Sequence, residues 1–196
     1  STFLYTFVLI FHIKFNRDGY NQDMQEDKQS IDKNISKYTK NVVEILEKDA
    51  ITKAYSRVFI EDIITNELAR SSRYNLDLSV LILKLSKKDV KDKFNTLGLV
   101  GEIVREHIRL NDYFGKLNED EYIIVTANTS LGGAVVLAEK ITQKFSSNPE
   151  IDRTLNYYFG VTKADETDSM DAILEKLQDA LSRSMQRGDK AIEIEV

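Results

Sequence analysis

The chain has 196 residues, of which 42% are hydrophobic and 30% are charged, and its formal net charge is −5. These values are typical of a globular protein whose length suits one domain with a core and an appendage. Cysteine is absent, which excludes disulfides and thiolate metal sites. No cluster of Lys and Arg predicts a nucleic-acid partner.

An apolar stretch, residues 2–15, dominates a predicted N-terminal segment that spans residues 1–22. It is too short to cross a bilayer alone, since about 20 residues are needed. One interpretation is the cytoplasmic end of a truncated transmembrane helix, with Lys14 and Arg17 on the inner side, which would tether a longer protein to a membrane. The other is a strand of an upstream sensor, because alternate residues from Phe3 to Phe15 are apolar. Both interpretations stay open.

Residues 23–48 are predicted to form a helical linker. Apolar residues recur in it at steps of four and three, at Ile31, Ile35, Tyr38, Val42 and Ile45. Such a seam is typical of a coiled coil, which would join two identical or two different chains through residues 31–45. The alternative is one amphipathic helix that packs on its own domain.

Residues 49–196 alternate helix and strand patterns, which predicts an α/β (α+β) domain. The nearly continuous apolar run Leu76–Leu85 predicts a buried central strand. Helices are also predicted over Phe59–Ala69, Val100–Ile108, Leu131–Phe145 and Met170–Met185, and strands over Tyr113–Leu117, Tyr122–Ala127, Leu155–Thr162 and Ala191–Val196. Gly188 is predicted to end the last helix. His107 falls in a helix pattern and is assigned to packing or to the surface rather than to a ligand site.

The turn between the strands at 113–117 and 122–127 carries three consecutive acids, Glu119, Asp120 and Glu121. Carboxylates at a hairpin tip are suitable ligands for a divalent cation. The alternative is a solvated acidic turn with no ligand.

The motif RxxD (Arg109 to Asp112), five further residues and a turn at 118–122 together resemble the signature of GGDEF domains, the diguanylate cyclase family. The resemblance extends over residues 49–196: the sequence 49–52 resembles the DxLT motif, and 158–161 resembles the SIGV strand. It implies a central, mostly antiparallel sheet of the nucleotide-cyclase type, flanked by helices and preceded by a helical stalk. Active members join two GTP molecules, one on each subunit of a dimer, with the help of metal-bound carboxylates.

The turn itself is degenerate with respect to that family. Asn118 and Glu119 replace the paired glycines that let the backbone approach the nucleotide, and Tyr122 replaces phenylalanine. Asp120 and Glu121 match the acidic pair of the motif and are the residual candidates for metal ligands.

Other positions depart from the family as well. Lys84 and Ser86 stand where the first strand should end in an acidic metal ligand, and Met185 and Asp189 stand where basic residues would hold phosphates. Asp92 replaces the guanine-reading asparagine, within a segment that is shorter than the family pattern. The resemblance therefore implies a domain with no catalytic residues, no metal and no cofactor, which is not an enzyme.

The retained RxxD motif binds the product, cyclic di-GMP, in the family. By this resemblance Arg109 would hold a phosphate or the guanine edge, Asp112 would accept guanine N–H groups, and Lys140 would supply the further basic residue. The alternative is an ordinary surface ion pair between Arg109 and Asp112, one helical turn apart.

The expected function is that of a non-catalytic regulatory domain in bacterial cyclic di-GMP signalling. It would act as a cyclic di-GMP receptor or as a module for dimerisation and partner docking, on the cytoplasmic side of a membrane-anchored protein. Two alternatives remain, a weak or altered nucleotide-binding enzyme and a purely structural relay from an N-terminal sensor.

Overall fold

The structure, a computed structural model, describes residues 47–88, 95–165 and 167–195. These residues belong to one compact unit, Leu46–Val196. The N-terminal segment, the seam at residues 31–45 and Asp92 lie outside the described residues, and the predictions made for them stay predictions. Within the described part of the chain, no helix is long and apolar enough to cross a membrane.

Helices and strands alternate along the described chain. In order they are α1 (Arg57–Tyr74), β1 (Leu78–Lys87), α2 (Asn95–His107), β2 (Tyr113–Lys116), β3 (Glu121–Ala127), α3 (Leu131–Ser147), α4 (Pro149–Thr154), β4 (Leu155–Lys163), α5 (Met170–Arg187) and β5 (Ile192–Glu195).

The strands form one five-stranded sheet in the order β2-β3-β1-β4-β5. Neighbouring strands are antiparallel except for the parallel pair β4 and β5. The predicted central strand is confirmed, because β1 lies in the middle with Leu81 opposite Ile124 on one side and Val161 on the other. The β2–β3 hairpin therefore lies in the same sheet as β1, as the family resemblance required.

Side chains of β1 alternate between two apolar clusters, one on each face of the sheet. Leu81 and Leu83 belong to the cluster that also contains Val104 of α2 and Ile141 of α3. The other cluster unites the alternate residues of β1 with α1 and α5, through Val80, Ile82, Ile60, Ile64, Ile173 and Leu177. The three-layer arrangement leaves the turns at the sheet ends free to carry charged side chains.

Two helix ends show why the elements stop where they do. Gly188 caps α5 with a φ of 121°, which confirms the predicted helix end. Helix α4 was not predicted. It begins directly after α3, where Asn148 Oδ1 accepts from the N–H groups of Glu150 and Ile151, and Pro149 occupies the first turn. Six residues are too few for a periodic pattern to be visible in the sequence.

Candidate functional site

Residues 117–120 connect β2 to β3 and form the tip of the predicted hairpin. Asn118 organises this tip, because its Oδ1 accepts hydrogen bonds from the N–H groups of Asp120 at 3.1 Å and Glu121 at 2.9 Å. Its Nδ2 donates to Glu121 Oε2 at 2.7 Å. The side chain of Asn118 is thus folded back onto its own turn, in a position where a glycine would leave the backbone open. Glu119 is exposed at the tip.

Lys84 lies on β1 directly opposite Glu121. Its Nζ is 3.0 Å from Glu121 Oε1 and 3.1 Å from Asp120 Oδ2. Burial alone would lower the pKa of Lys84, but the hydrogen bonds and charges of Glu121 and Asp120 outweigh burial and raise this pKa above its ordinary value. Lys84 is therefore protonated at neutral pH and acts as a fixed counter-ion for both carboxylates.

This arrangement does not suit the divalent cation that the family uses. Mg²⁺ requires oxygen ligands at about 2.0–2.1 Å, whereas an ammonium group only donates hydrogen bonds. The charge of Lys84 also repels a cation that approaches Asp120 and Glu121. Among residues 47–88, 95–165 and 167–195, no group of three or more His, Cys, Asp or Glu side chains could hold a metal ion.

Three further residues, Ser86, Met185 and Asp189, stand where the family has metal- or phosphate-binding side chains. Ser86 is half-buried on β1, and Met185 on α5 is 44% exposed. Asp189 Oδ1 accepts from the N–H of Tyr157 at 3.0 Å, and its Oδ2 is 3.6 Å from Lys88 Nζ. Asp189 thus supports the start of β4 and brings a negative charge where the family has a basic residue.

The segment before α1 is held against the hairpin by Asp49. One carboxylate oxygen of Asp49 accepts from the backbone N–H and the hydroxyl of Thr52 at 2.8 Å and 2.7 Å, and the other accepts from Lys116 Nζ at 2.9 Å. Burial raises the pKa of Asp49, but the hydrogen bonds from Thr52 and Lys116 outweigh burial and lower this pKa to about 2.

Tyr122, which replaces the phenylalanine of the motif, is fully buried beside this cluster. Burial, followed by the negative charge of Asp49, raises the pKa of Tyr122 to about 12. Its hydroxyl makes no hydrogen bond of ordinary geometry with the described residues, although Thr52 is close enough to lower this pKa slightly. The substitution keeps the aromatic packing of the strand and adds a neutral hydroxyl to the interior.

A second charged region surrounds a cavity of about 310 Å³ between the end of α2 and the start of α3. The three residues predicted to bind cyclic di-GMP, Arg109, Asp112 and Lys140, all line this cavity. Its other lining residues are His107, Thr126, Thr129, Gly132, Gly133, Val136 and Leu137. The structure thus brings Lys140 of α3 to the same cavity as Arg109 and Asp112, although the β2–β3 hairpin separates them in the sequence.

Asp112 is the best-anchored residue of this cavity. Its Oδ2 accepts from the N–H of Arg109 at 2.8 Å, and its Oδ1 accepts from the N–H of Ala127 at 3.2 Å. The residue is only 9% exposed. Asp112 therefore holds the turn after α2 against the end of β3, a contact that the predicted surface ion pair with Arg109 does not describe.

Unlike Asp112, the cationic groups of the cavity are exposed and have no partner among the described residues. Arg109 and Lys140 are exposed, and within the described part of the chain neither the guanidinium nor the ammonium has an ion-pair or hydrogen-bond partner. His107 is half-buried, and its Nδ1 lies 2.7 Å from the carbonyl oxygen of Ile103. The sequence pattern assigned His107 to packing or to the surface, but its position two residues before the RxxD motif was a signal for a place beside it.

Comparison with known proteins shows which family shares this sequence and fold. Residues 46–191 match the family described as "Diguanylate cyclase, GGDEF domain". The chain is 28% identical over 159 residues to diguanylate cyclase DosC of Escherichia coli K12, which covers 74% of this chain and 34% of DosC. It is 23% identical over 126 residues to the bifunctional diguanylate cyclase/cyclic di-GMP phosphodiesterase MucR of Pseudomonas aeruginosa, which covers 61% of this chain and 18% of MucR. The chain thus spans about a third or less of the length of these relatives.

Solved structures share the fold. The coiled coil and GGDEF domain of DgcB from Caulobacter crescentus, in complex with c-di-GMP, superimposes with a TM-score of 0.77 at 12% identity, covering 88% of this chain and 98% of that one. The active GGEEF domain of a diguanylate cyclase from Vibrio cholerae superimposes with a TM-score of 0.65 at 22% identity. The superposition covers 72% of this chain and 97% of that one. The sheet order, the hairpin and the matched residues agree in one conclusion: the chain belongs to the GGDEF-domain family of diguanylate cyclases.

Proposed function

We propose that this GGDEF domain is a non-catalytic regulatory domain of cyclic di-GMP signalling, which binds the dinucleotide at the cavity of Arg109 and Lys140. The observation that carries the non-catalytic part is the position of Lys84, 3.1 Å from Asp120 and 3.0 Å from Glu121. A protonated amine so close to both carboxylates supports the proposal, because Asp120 and Glu121 are the residual candidates for metal ligands.

Electrostatics at the hairpin tip supports the loss of nucleotide binding as well. The side chains of Asp120 and Glu121 are neutralised only in part by Lys84, and Glu119 adds a further exposed negative charge. A nucleoside triphosphate without an accompanying divalent cation would meet net repulsion there. Asp189 adds no positive charge to offset it.

The cavity has the chemistry that an anionic dinucleotide requires. Cyclic di-GMP carries two phosphates, and the guanidinium of Arg109 and the ammonium of Lys140 offer charged donors with no partner among the described residues. Asp112 fixes the backbone of the turn that carries Arg109, which limits the reorganisation of this turn on binding. These features support a receptor role for the domain.

The curated relatives are named as diguanylate cyclases, which favours residual turnover as the second candidate function. A direct test incubates the purified 196-residue chain with GTP and Mg²⁺ or Mn²⁺ and measures cyclic di-GMP by chromatography. The proposal expects no product above the level of a no-enzyme control. Product formation that Asp120→Ala abolishes would overturn the proposal and establish an enzyme.

Dimerisation and partner docking remain a proposal for the linker. A solved relative, the diguanylate cyclase SiaD of Pseudomonas aeruginosa, is in complex with its activator SiaC, with a TM-score of 0.69 and 15% identity to this chain. For this protein, the seam at residues 31–45 would join two chains, and the segment at residues 1–22 would supply a membrane tether. Sedimentation of the chain before and after Ile35→Asp and Val42→Asp tests the seam, since a paired linker should dissociate.

A further inference from the structure

Residues 47–56, here called the entry loop, lead the chain into the domain and lie along the edge of β2. The N–H of Tyr55 donates to the carbonyl oxygen of Phe114, and the N–H of Lys116 donates to the carbonyl oxygen of Tyr55, both at 2.8 Å. Asp49 adds the ion pair with Lys116 at 2.9 Å. Because β2 is the outermost strand on this side of the sheet, the entry loop covers part of its edge.

The same loop packs on α2 through its backbone. A Cβ atom at Gly101 would lie 2.3 Å from the carbonyl oxygen of Thr52, so this approach requires a glycine. Thr52 is fully buried there, and Ala54 is fully buried in the core cluster that also contains residues of α2 and α3. The chain before residue 47 is therefore connected to β2 and α2 through one short loop.

Two features make the closed entry loop costly to hold. Lys53 has a φ of 59°, in the left-handed region that strains a residue with a Cβ atom. Beside the loop, the buried hydroxyl of Tyr122 has no hydrogen-bond partner among the described residues, because the nearby Thr52 donates its own hydroxyl to Asp49 at 2.7 Å. Release of the loop would relieve the strain at Lys53 and let water reach the hydroxyl of Tyr122.

We propose that the entry loop is a releasable latch, which opens as a unit while the five-stranded sheet stays folded. Opening breaks the two backbone hydrogen bonds to β2 and the contact between Thr52 and Gly101. It thereby separates the chain before residue 47 from both β2 and α2. The latch is a regulatory device for a signal that arrives along that chain, and it depends neither on a ligand in the cavity nor on the loss of cyclase activity.

Native-state hydrogen exchange of the full chain measures this opening residue by residue. The two reporters are the N–H groups of Tyr55 and Lys116, which are bonded between the loop and β2, and the reference is the N–H of Leu81 in the central strand. Both reporters should share one opening equilibrium. They should be less protected than Leu81 by a factor on the order of a hundred, because local opening costs less than unfolding of the sheet.

Gly101→Ala should force the latch open, because the added Cβ has no room beside Thr52. Protection of both reporters should fall about tenfold or more, whereas Leu81 should stay far more protected than either reporter. The matched control is Gly98→Ala on the same helix, where an added Cβ would meet nothing within 4 Å. This control should not reduce the protection of the reporters.

Lys53→Gly tests the latch in the opposite direction, with a change that the fold accommodates. Glycine adopts a φ of 59° without strain, so both reporters should become about twofold to fivefold more protected. Tyr122→Phe should also raise their protection, since it removes the unpaired hydroxyl. The control Lys190→Gly changes another lysine of positive φ, 67°, between α5 and β5, and should leave both reporters unchanged.

Three results would overturn the latch. Reporters as protected as Leu81 would show that the loop opens only when the whole domain unfolds. Different opening equilibria of Tyr55 and Lys116 would show that the loop does not open as a unit. Reporter protection that stays at the wild-type value in both Lys53→Gly and Tyr122→Phe would show that opening relieves neither cost.

Discussion

The hairpin tip and the cavity are both rich in charge, but their charges differ in where they find partners. At the tip, Lys84 lies within 3.1 Å of both Asp120 and Glu121, and Asn118 bonds the turn to itself. In the cavity, the carboxylate is the satisfied group, while the cations of Arg109 and Lys140 have no partner in the part of the chain that the structure describes. The carboxylates of the first region thus have an internal counter-ion, whereas the cations of the second region have none among the described residues.

This difference shows that residues matching a family motif can have partners that the motif does not predict. Asp120 and Glu121 match the family motif, yet a lysine on the adjacent strand turns them into its counter-ions. A partly buried charge cluster of this kind is stable only if its members stay paired, because removal of one partner leaves the others uncompensated. The proposed loss of metal binding would therefore depend on Lys84, Asp120 and Glu121 together.

Arg109→Ala tests most directly whether the cavity, and not the hairpin tip, binds the ligand. This change removes a charged donor that has no internal partner, so it should weaken cyclic di-GMP binding about tenfold to a hundredfold, the effect of 1.5–3 kcal/mol. Calorimetry measures the loss. The matched control is Arg153→Ala, which removes an exposed arginine from α4.

Asp120→Ala serves as the second control for Arg109→Ala, because the hairpin tip belongs to the other region and cyclic di-GMP affinity should stay at the wild-type value. Equal affinity of wild type and Arg109→Ala would contradict the assignment of the free cations to the ligand.

Asp112→Ala should show that the satisfied carboxylate of the cavity is structural. The change leaves the N–H groups of Arg109 and Ala127 without their acceptor, which should lower the free energy of unfolding by about 1–3 kcal/mol. Urea denaturation measures this change, with the exposed Asp62→Ala as control. Binding of cyclic di-GMP should weaken too, since the turn that carries Arg109 loses its anchor. Unchanged stability would mean that Asp112 is not the anchor.

Asp49→Asn tests the ion pair beside the hairpin, because its effect on the free energy of unfolding should depend on pH. The pKa of Asp49 in the folded chain is about 2, below its ordinary value, so ionisation stabilises the fold above pH 4 to 5. This contribution is lost as the pH falls towards 2. Wild type should exceed Asp49→Asn by about 1–2 kcal/mol near neutral pH, after allowance for solvent screening, and by almost nothing near pH 2.

Urea midpoints measured from pH 7 to pH 2 test this convergence, with Asp62→Asn as the control that changes an exposed aspartate on α1. A difference between wild type and Asp49→Asn that stays constant over the whole range would show that the hydrogen bonds from Thr52 and Lys116 do not depress the pKa of Asp49.

Lys84→Asp should reopen the hairpin region to a cation. The change replaces the internal ammonium with a third carboxylate beside Asp120 and Glu121, a set of oxygen ligands that suits Mn²⁺ or Mg²⁺. At an ion concentration of about ten times Kd, binding should stabilise the variant by about 1.4 kcal/mol, a melting shift of a few degrees. Thermal melts with and without Mn²⁺ measure it.

Wild type and the control Lys144→Asp, which changes an exposed lysine on α3, should not respond to Mn²⁺. An equal response of wild type and Lys84→Asp would contradict the claim that Lys84 excludes the metal.

Much of the fold could be read from the sequence, because its signals are local. The apolar run of β1 and the alternation of β3 predict a central strand and its neighbour, and Gly188 predicts the end of α5. Helix α4 was not predicted, since its six residues show no period and its start depends on the Asn148 cap.

The partners of the charged residues could not be read in this way. Lys84 and Glu121 are 37 positions apart, and Asp112 and Ala127 are 15 apart, so only the sheet register brings them together. The sequence could name Lys84 as a departure and Asp112 as a match to the motif. It could not show that the first is an ion-pair partner of both acids, or that the second anchors a turn.

The most direct test of the account is calorimetry of the full chain with cyclic di-GMP and, separately, with Mg-GTP. The open cations of Arg109 and Lys140 predict that cyclic di-GMP binds, and the internal ion pairs of Lys84 predict that Mg-GTP shows no binding at high micromolar concentration. Binding of Mg-GTP together with no binding of cyclic di-GMP would contradict the account, because the hairpin tip would then be the working site and the cavity an ordinary surface.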